Sequence, residues 1–237
     1  MKRKFLILIP IILLLLLFNL LFNSSYKATD IAVNALESTD TLKVYTDDYI
    51  SFIPSSDNEI GIIMYPGGKV DHVAYSLLMR DLADQGYSTF IAKMPLDLAI
   101  FGSDQATDII EENSTINEWY IMGHSLGGVM AAQYTYENQE TISGLILLAS
   151  YPQDKHDFST TEMKVLSILG DQDGLVDLET YERTKAFLPS NTMYVTLEGG
   201  NHGQMGSYGI QKKDMPATLT PEQQEYLIIE SIMEFIH

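Results

Sequence analysis

The chain has 237 residues, a length that suits one globular domain with an appendage better than two separately cored domains. It contains no cysteine, which excludes a disulfide framework, catalysis by a thiolate and anchoring through a lipid-modified cysteine. The formal net charge is −18 at pH 7. Because so acidic a domain is repelled by phosphate backbones, we expect no nucleic-acid partner.

The first part of the chain has the pattern of a membrane anchor. Lys2, Arg3 and Lys4 precede an apolar run, 5–22, whose length is near the minimum for a helix that spans a bilayer. Cations before such a run stay in the cytoplasm, which predicts a domain on the outer side of the cell membrane. The alternative is a cleaved signal peptide and a secreted domain, although residues 23–28 match a cleavage site poorly.

We divide the chain into an anchor at 1–22, a tether at 23–40 and a domain at 41–237. The tether is predicted because its residues are mixed and polar and show no firm period. Two alternating segments open the domain, 42–45 and 49–53, and predict an antiparallel hairpin at the edge of a sheet.

Apolar runs then alternate with helical segments. Four runs are too continuous for half-exposed strands and predict parallel strands buried on both faces, at 60–65, 89–92, 119–122 and 145–149. Two more strands are predicted at 165–169 and 193–197. Helical patterns lie between them at 75–84, 105–112, 129–138 and 179–187. This alternation predicts an α/β fold with a mostly parallel, doubly wound sheet.

The chain is predicted to end in a helix. Thr220, Pro221 and Gln223 form its start signal, with proline at the first helical position and glutamine able to complete a capping box. Apolar residues recur at helical spacing behind it and are expected to face the core, namely Tyr226, Ile229, Met233 and Ile236.

Residues 123–127 read Gly-His-Ser-Leu-Gly and match the pattern G-x-S-x-G. A predicted strand enters the motif and a helix follows it, which is the setting of a nucleophile elbow. The glycines suit it because a sharp strand-to-helix turn leaves no room for side chains beside the serine. Ser125 is therefore the candidate nucleophile, and the alternative is a plain glycine-rich turn.

A serine hydroxyl needs a base within hydrogen-bond reach. His202 is the candidate, because its glycine-rich loop follows the strand 193–197 at the carboxyl edge of the sheet, where catalytic groups gather. A carboxylate must in turn orient the base. The loop after the strand 165–169 offers Asp171 and Asp173, and their spacing alone does not choose between them.

The reaction also needs N–H donors for the negative oxygen of a tetrahedral intermediate. We expect one donor to be the backbone amide of Leu126, which directly follows the nucleophile at a helix N-terminus. The second should come from the glycine-containing loop after the first parallel strand, where Gly68 is the provisional choice and Lys69 the alternative. No metal or organic cofactor is implied.

These motifs together resemble the α/β-hydrolase superfamily, and in particular its compact bacterial members related to dienelactone hydrolases. The likeness covers about 60–236 and includes the order Ser, Asp, His along the chain. The chain also resembles one membrane-associated subgroup of these proteins. The stretches that carry this resemblance are GHSLGG, YPGGKVD at 65–71, MPLDLAIFG at 94–102, LLASYP at 147–152 and GGNHGQMGSYG at 199–209.

The resemblance implies an α/β-hydrolase fold and a choice between the two aspartates. In the superfamily the acid lies three residues after the glycine that ends its strand, here Gly170, and this points to Asp173. Dienelactone hydrolases use a cysteine nucleophile where this chain has serine, so their substrates do not carry over.

The connection 152–163 is too short for a large cap domain, which predicts an open pocket. We therefore expect hydrolysis of a small ester, or else of an amide or thioester, through an acyl-enzyme on Ser125. The competing hypothesis is a membrane-tethered binding protein that has the fold without turnover.

Overall fold

The computed structural model describes residues 25–56 and 59–237. Within these ranges, no helix is long and apolar enough to cross a bilayer. The anchor predicted at 1–22 lies outside the described residues, as do the first two residues of the predicted tether.

Eight strands form one sheet in the order β1-β2-β4-β3-β5-β6-β7-β8. They are β1 (Leu42–Tyr45), β2 (Ile50–Pro54), β3 (Ile60–Tyr65), β4 (Ser88–Ile91), β5 (Glu118–His124), β6 (Ile142–Leu148), β7 (Lys164–Gly170) and β8 (Met193–Leu197). The hairpin β1–β2 is antiparallel and joins β4 in antiparallel register, while β3 to β8 pair in parallel. The predicted mostly parallel sheet with an N-terminal hairpin is confirmed.

Helices cover both faces of the sheet. They are α1 (Asp30–Asn34), α2 (Ser76–Asp84), α3 (Gln105–Glu112), α4 (Leu126–Glu137), α5 (Leu178–Thr184) and α6 (Pro221–Ile236). Buried side chains of α2 and α6, such as Leu82 and Ile232, share one core cluster. Those of α3 and α4, such as Ile109 and Ala131, belong to the cluster on the other face. The doubly wound arrangement brings the carboxyl ends of the parallel strands to one edge of the sheet. The candidate functional residues follow the strands at this edge.

The last helix begins as predicted but presents a different face to the core. Thr220 and Gln223 form the capping box that the sequence indicates. Tyr226, however, is 59% exposed, and Ile228 and Ile232 are buried instead. The prediction of the core stripe was wrong at Tyr226 because apolar residues occupy several adjacent rows of this helix, so the period alone did not select the buried face.

The described part of the predicted tether packs on the domain. Tyr26 forms a parallel bridge with Val70, and Ala32 of α1 is fully buried. The stretch 25–40 is therefore part of the packed unit and is not free chain. Its sequence gave no sign of this because α1 has only five residues, too few to show a helical period.

The chain between β6 and β7 adds no separate layer. It runs from Ala149 to Met163 without a helix or strand, and Phe158 in its middle is fully buried in the core. The fold is compact and has no large cap, as the sequence predicted.

Candidate active site

Ser125 sits alone between β5 and α4 in a strained backbone conformation. Its φ of 52° and ψ of −123° place a residue that has a Cβ where few such residues are found. Two hydrogen bonds hold it there. The Ser125 N–H donates to the Leu148 carbonyl at 3.0 Å, and the Ser150 hydroxyl donates to the Ser125 carbonyl at 2.7 Å.

The glycines of the motif are required by close backbone approach. A Cβ on Gly123 would lie 2.5 Å from the carbonyl of Gly127, and one on Gly127 would lie 2.1 Å from the carbonyl oxygen of Tyr65. Helix α4 begins directly at Leu126, three residues before the predicted start at 129, because packing against the end of β3 outweighs the low helix propensity of two glycines. The strand-to-helix turn expected of a nucleophile elbow is present.

His202 and Asp173 form a buried hydrogen-bonded pair. The His202 Nδ1 lies 2.7 Å from the Asp173 Oδ2, and both residues are almost completely buried. The other oxygen of Asp173 accepts the N–H groups of Leu175 and Val176, each at 2.8 Å. Both carboxylate oxygens are thus fixed, which orients the imidazole.

Asp171 does something different. It is exposed, and its Oδ1 accepts the N–H of Gly199 at 2.7 Å, which ties the acid-bearing loop to the loop that carries the histidine. The structure pairs His202 with Asp173, the aspartate to which the family resemblance points.

The two loops come together through glycines. A Cβ on Gly170 would lie 2.3 Å from the carbonyl oxygen of Gly200, so a larger residue at 170 would push the loops apart. The same carbonyl accepts the N–H of Gln172 at 2.9 Å.

A third carboxylate, Asp214, clamps both loops directly behind the pair. Its Oδ2 accepts the N–H of Gly203 at 2.7 Å, and its Oδ1 accepts the N–H of Gly174 at 3.0 Å. These glycines immediately follow His202 and Asp173 in the chain. Sequence reasoning missed Asp214, because nothing in its local pattern reveals a contact with a residue 40 positions away.

His124 lies beside the base. Its ring centroid is 4.5 Å from that of His202, and the two ring planes are tilted by 51°. Burial lowers the pKa of His124 well below its usual range, and the neighbouring charge of His202 lowers the pKa further. His124 is therefore neutral at physiological pH, and His202 can gain a proton without meeting a second cation.

Tyr75 connects His124 to the loop after β3. Its hydroxyl lies 2.8 Å from the His124 Nδ1 and accepts the N–H of Gly67 at 2.9 Å. Burial raises the pKa of Tyr75, so the group is a neutral phenol. No local sequence pattern pairs Tyr75 with His124, because the two residues are 49 positions apart.

The same loop holds the two candidates for the second oxyanion donor. The backbone N–H of Lys69 donates to the Asp97 carbonyl at 2.7 Å and is engaged away from Ser125. Gly68 lies against Leu126, since a Cβ on it would be 3.0 Å from the Leu126 Cδ2. This contact brings the loop next to the residue that follows the serine.

In the ranges 25–56 and 59–237, no three histidine, aspartate or glutamate side chains are grouped so that they could hold a metal ion. The sheet order, the turn at Ser125 and the absence of a large cap define a compact α/β-hydrolase fold.

The sequence matches the model of the Alpha/beta hydrolase family over residues 61–226. Since the match covers more than half of the chain, the chain belongs to the α/β-hydrolase family. No curated protein is similar enough in sequence to count as a match.

Solved structures share the fold at low sequence identity. A predicted CIB-like hydrolase from Thermoplasma acidophilum is 16% identical, with a TM-score of 0.62 over 81% of this chain and 98% of its own. The carboxylesterase CesB from Bacillus subtilis is 8% identical, with a TM-score of 0.61 over 87% of this chain and 95% of its own. An alpha-beta serine hydrolase homologue from Coxiella burnetii is 15% identical, with a TM-score of 0.58 over 83% of this chain and 99% of its own. Membership of this family and the similarity to these hydrolases support the assignment of this chain as a hydrolase.

Proposed function

We propose that this protein is a serine hydrolase that cleaves a small ester through an acyl-enzyme on Ser125. The observation that carries the proposal is the buried pair of His202 and Asp173 at the carboxyl edge of the sheet. Ser125 occupies a strained turn at the same edge, and its chain neighbour His124 has its ring centroid 4.5 Å from that of His202. The carboxylesterase activity in the name of one structural neighbour agrees with an ester substrate. An amide or thioester would use the same groups.

In the first half of the reaction, the Ser125 Oγ attacks the carbonyl carbon of the ester. His202 takes the hydroxyl proton on Nε2 as the new C–O bond forms, because Asp173 holds the other ring nitrogen as the N–H donor. The backbone amides of Leu126 and Gly68 then receive the developing negative oxygen. Lys69 is the less suitable second donor, since its N–H is bonded to Asp97.

Collapse of this intermediate breaks the bond to the leaving alcohol, which takes the proton from His202. Water then attacks the acyl group, His202 accepts one of its protons, and the Ser125 oxygen leaves and is reprotonated by the imidazolium. Neutral His124 helps in both halves, because a cation 4.5 Å away would oppose each protonation of His202.

Substrate size follows from the short connection between β6 and β7. The chain from 149 to 163 packs into the core and leaves the elbow without a cap. Ser125 is half-buried and directly follows the carboxyl end of β5. An open site of this kind favours short acyl groups over long chains that need an enclosed tunnel.

We further propose that residues 1–22 anchor the protein in the cell membrane with the domain outside, on the basis of the cations at 2–4 and the apolar run 5–22. Cleavage after this segment would yield a secreted domain. A relation to dienelactone hydrolases and to a membrane-anchored subgroup also remains a prediction from the motifs.

A fluorophosphonate probe tests the chemistry, because it reacts covalently with an activated serine. The probe should label the protein, Ser125→Ala should abolish labelling, and short-chain aryl esters should be hydrolysed with ordinary saturation kinetics. The exposed serine in a Ser55→Ala variant provides the matched control and should leave labelling unchanged. Folded protein that neither reacts with the probe nor cleaves esters, thioesters or amides would favour the tethered binding protein instead.

A further inference from the structure

The described chain enters the domain at the carboxyl edge of the sheet. The Ser25 hydroxyl donates to the Asp97 Oδ2 at 2.5 Å. The N–H of Tyr26 donates to the Lys69 carbonyl at 2.8 Å, and the Tyr26 carbonyl accepts the N–H of Asp71 at 2.9 Å. The entering strand is therefore fixed along the loop that follows β3, the same loop that carries Gly68.

This entry point lies close to the end of the predicted anchor. Phe22, the last residue of the apolar run, and Ser25 are three positions apart, with two residues between them. Even a fully extended chain of that length reaches only about 10 Å. Because 25–40 packs on the domain, it does not act as a spacer between the domain and the bilayer.

Exposed apolar side chains flank the entry point. The turn that follows Asp97, the residue bound by Ser25, contains Ile100 and Phe101. Their side chains are 50% and 57% exposed. On the other side, Ile210 is 96% exposed, and the N–H of Lys212 donates to the Tyr26 hydroxyl at 3.1 Å. We name Ile100, Phe101 and Ile210 the apolar rim.

Charge does not orient the domain toward lipid. Without Lys2, Arg3 and Lys4 the formal charge falls from −18 to −21, so an anionic bilayer would repel the remainder of the chain. The orientation must come from the short connection and from burial of the apolar rim among lipid headgroups, at about 25 cal/mol for each Å² of apolar surface removed from water.

We infer that the domain lies with the carboxyl edge of its sheet, and the opening of the Ser125 site, against the bilayer that holds residues 5–22, with the apolar rim at the headgroups. This inference rests on the proposed anchor and deepens the proposed function. The esters that reach Ser125 are then small or protruding groups at the membrane surface.

Site-specific labels in the full-length protein test the orientation. Since the natural chain has no cysteine, Phe101→Cys, Ile210→Cys and Glu140→Cys each create a single labelling site. Glu140 is exposed just before β6, at the opposite edge of the sheet, and is the control. The labelled proteins are reconstituted in phosphatidylcholine vesicles that contain lipids spin-labelled at the headgroup, and fluorescence quenching is measured.

We expect severalfold stronger quenching at positions 101 and 210 than at position 140. A linker of about 20 Gly and Ser residues inserted between Phe22 and Ser25 gives the domain a reach of about 25 Å and should abolish the difference. Equal quenching at all three positions in vesicle-bound protein would overturn the orientation. Labels shielded from aqueous quencher but not reached by the lipid quencher would also overturn it and would indicate a second copy on the rim.

The failures of the three proposals are distinguishable. Full-length protein that does not float with the vesicles contradicts the anchor and the orientation together. Vesicle-bound protein with equal quenching contradicts the orientation alone. Fluorophosphonate labelling of Ser125 in the same samples reports on the hydrolase separately, because it requires neither the bilayer nor the rim.

Discussion

Asp173 is buried and Glu225 is half-buried, and the groups that surround each carboxylate give it a different role. Asp173, at the carboxyl edge of the sheet, accepts two backbone N–H groups and binds the imidazole of His202. Glu225, on the side of α6 that faces Asp81 of α2, has other carboxylates as neighbours instead. Burial raises the pKa of Glu225 to about 8, and the charges of Asp81 and Glu222 add to the rise.

Burial alone does not identify a functional acid. A carboxylate whose oxygens meet N–H donors can keep its charge in the interior, whereas one among like charges gives up its charge by taking a proton. The first arrangement orients a base, and the second costs stability at high pH. Substitutions near Asp173 and at Glu225 test this difference.

The largest effect is expected from Asp173→Asn. An amide at this position removes the charge that stabilises the imidazolium and disturbs the tautomer of His202, so kcat should fall by about 10⁴-fold, as in serine proteases. The measurement is the initial rate on a short-chain aryl ester. Asp171→Asn is the matched control and should cost far less, because its side chain binds Gly199 and does not touch the histidine. A larger loss in the Asp171 variant would reverse the assignment.

Asp214→Asn should have the next largest effect. The amide can accept only through its oxygen, so one of the two loop contacts, to Gly174 or to Gly203, is lost. Small misplacement of catalytic groups is costly, and we expect kcat to fall by about 10- to 100-fold with little change in KM. The pH profile of kcat should also shift, since the bond between His202 and Asp173 loosens. Asp40→Asn, at an exposed aspartate, is the control, and a pure stability loss with an unchanged profile would argue against a positioning role.

Tyr75→Phe tests the link between the elbow and the loop after β3, which carries Gly68. The change leaves the Gly67 N–H and the His124 Nδ1 without the hydroxyl, which should lower the free energy of unfolding by about 1–3 kcal/mol. The loop that carries Gly68 should also lose its fixed position, and kcat should fall by about 10-fold. Urea unfolding and ester hydrolysis measure the two effects, with the exposed Tyr45→Phe as control. Unchanged kcat in a destabilised protein would limit Tyr75 to a structural role.

The smallest effect concerns Glu225 and depends on pH. Its folded pKa of about 8 lies above its ordinary value of 4.5, so between these pH values the folded state holds a proton that the unfolded chain has released. The free energy of unfolding should therefore decrease as pH rises through this window. Glu225→Gln does not titrate and should be more stable than the natural protein at pH 8, with little difference near pH 4.5.

Thermal unfolding at several pH values measures this difference. Glu234→Gln, at an exposed position of the same helix, is the matched control and should show a much weaker dependence on pH. A stability gain for Glu225→Gln that is equal at pH 4.5 and pH 8 would show that the raised pKa is not its cause.

Local sequence determined most of the fold because its signals come from neighbouring residues. Continuous apolar runs located β3 and β8 at their observed bounds, and turn and capping residues located the hairpin and the start of α6. The glycines around Ser125 indicated the elbow, since the crowding that requires them arises within one strand-to-helix turn and the strand beside it.

Tertiary structure alone decided the rest, because those features depend on how distant segments approach each other. The spacing of Asp171 and Asp173 did not choose between them as the partner of His202, and only the family resemblance pointed to Asp173. Asp214 meets a loop 40 residues away, a contact that no local pattern encodes. The neutral state of His124 depends on burial from all sides. The packing of 25–40 depends on the surface that the loop after β3 offers to Tyr26. Local motifs indicated the candidate groups for the chemistry, whereas contacts between distant segments set which of these groups meet.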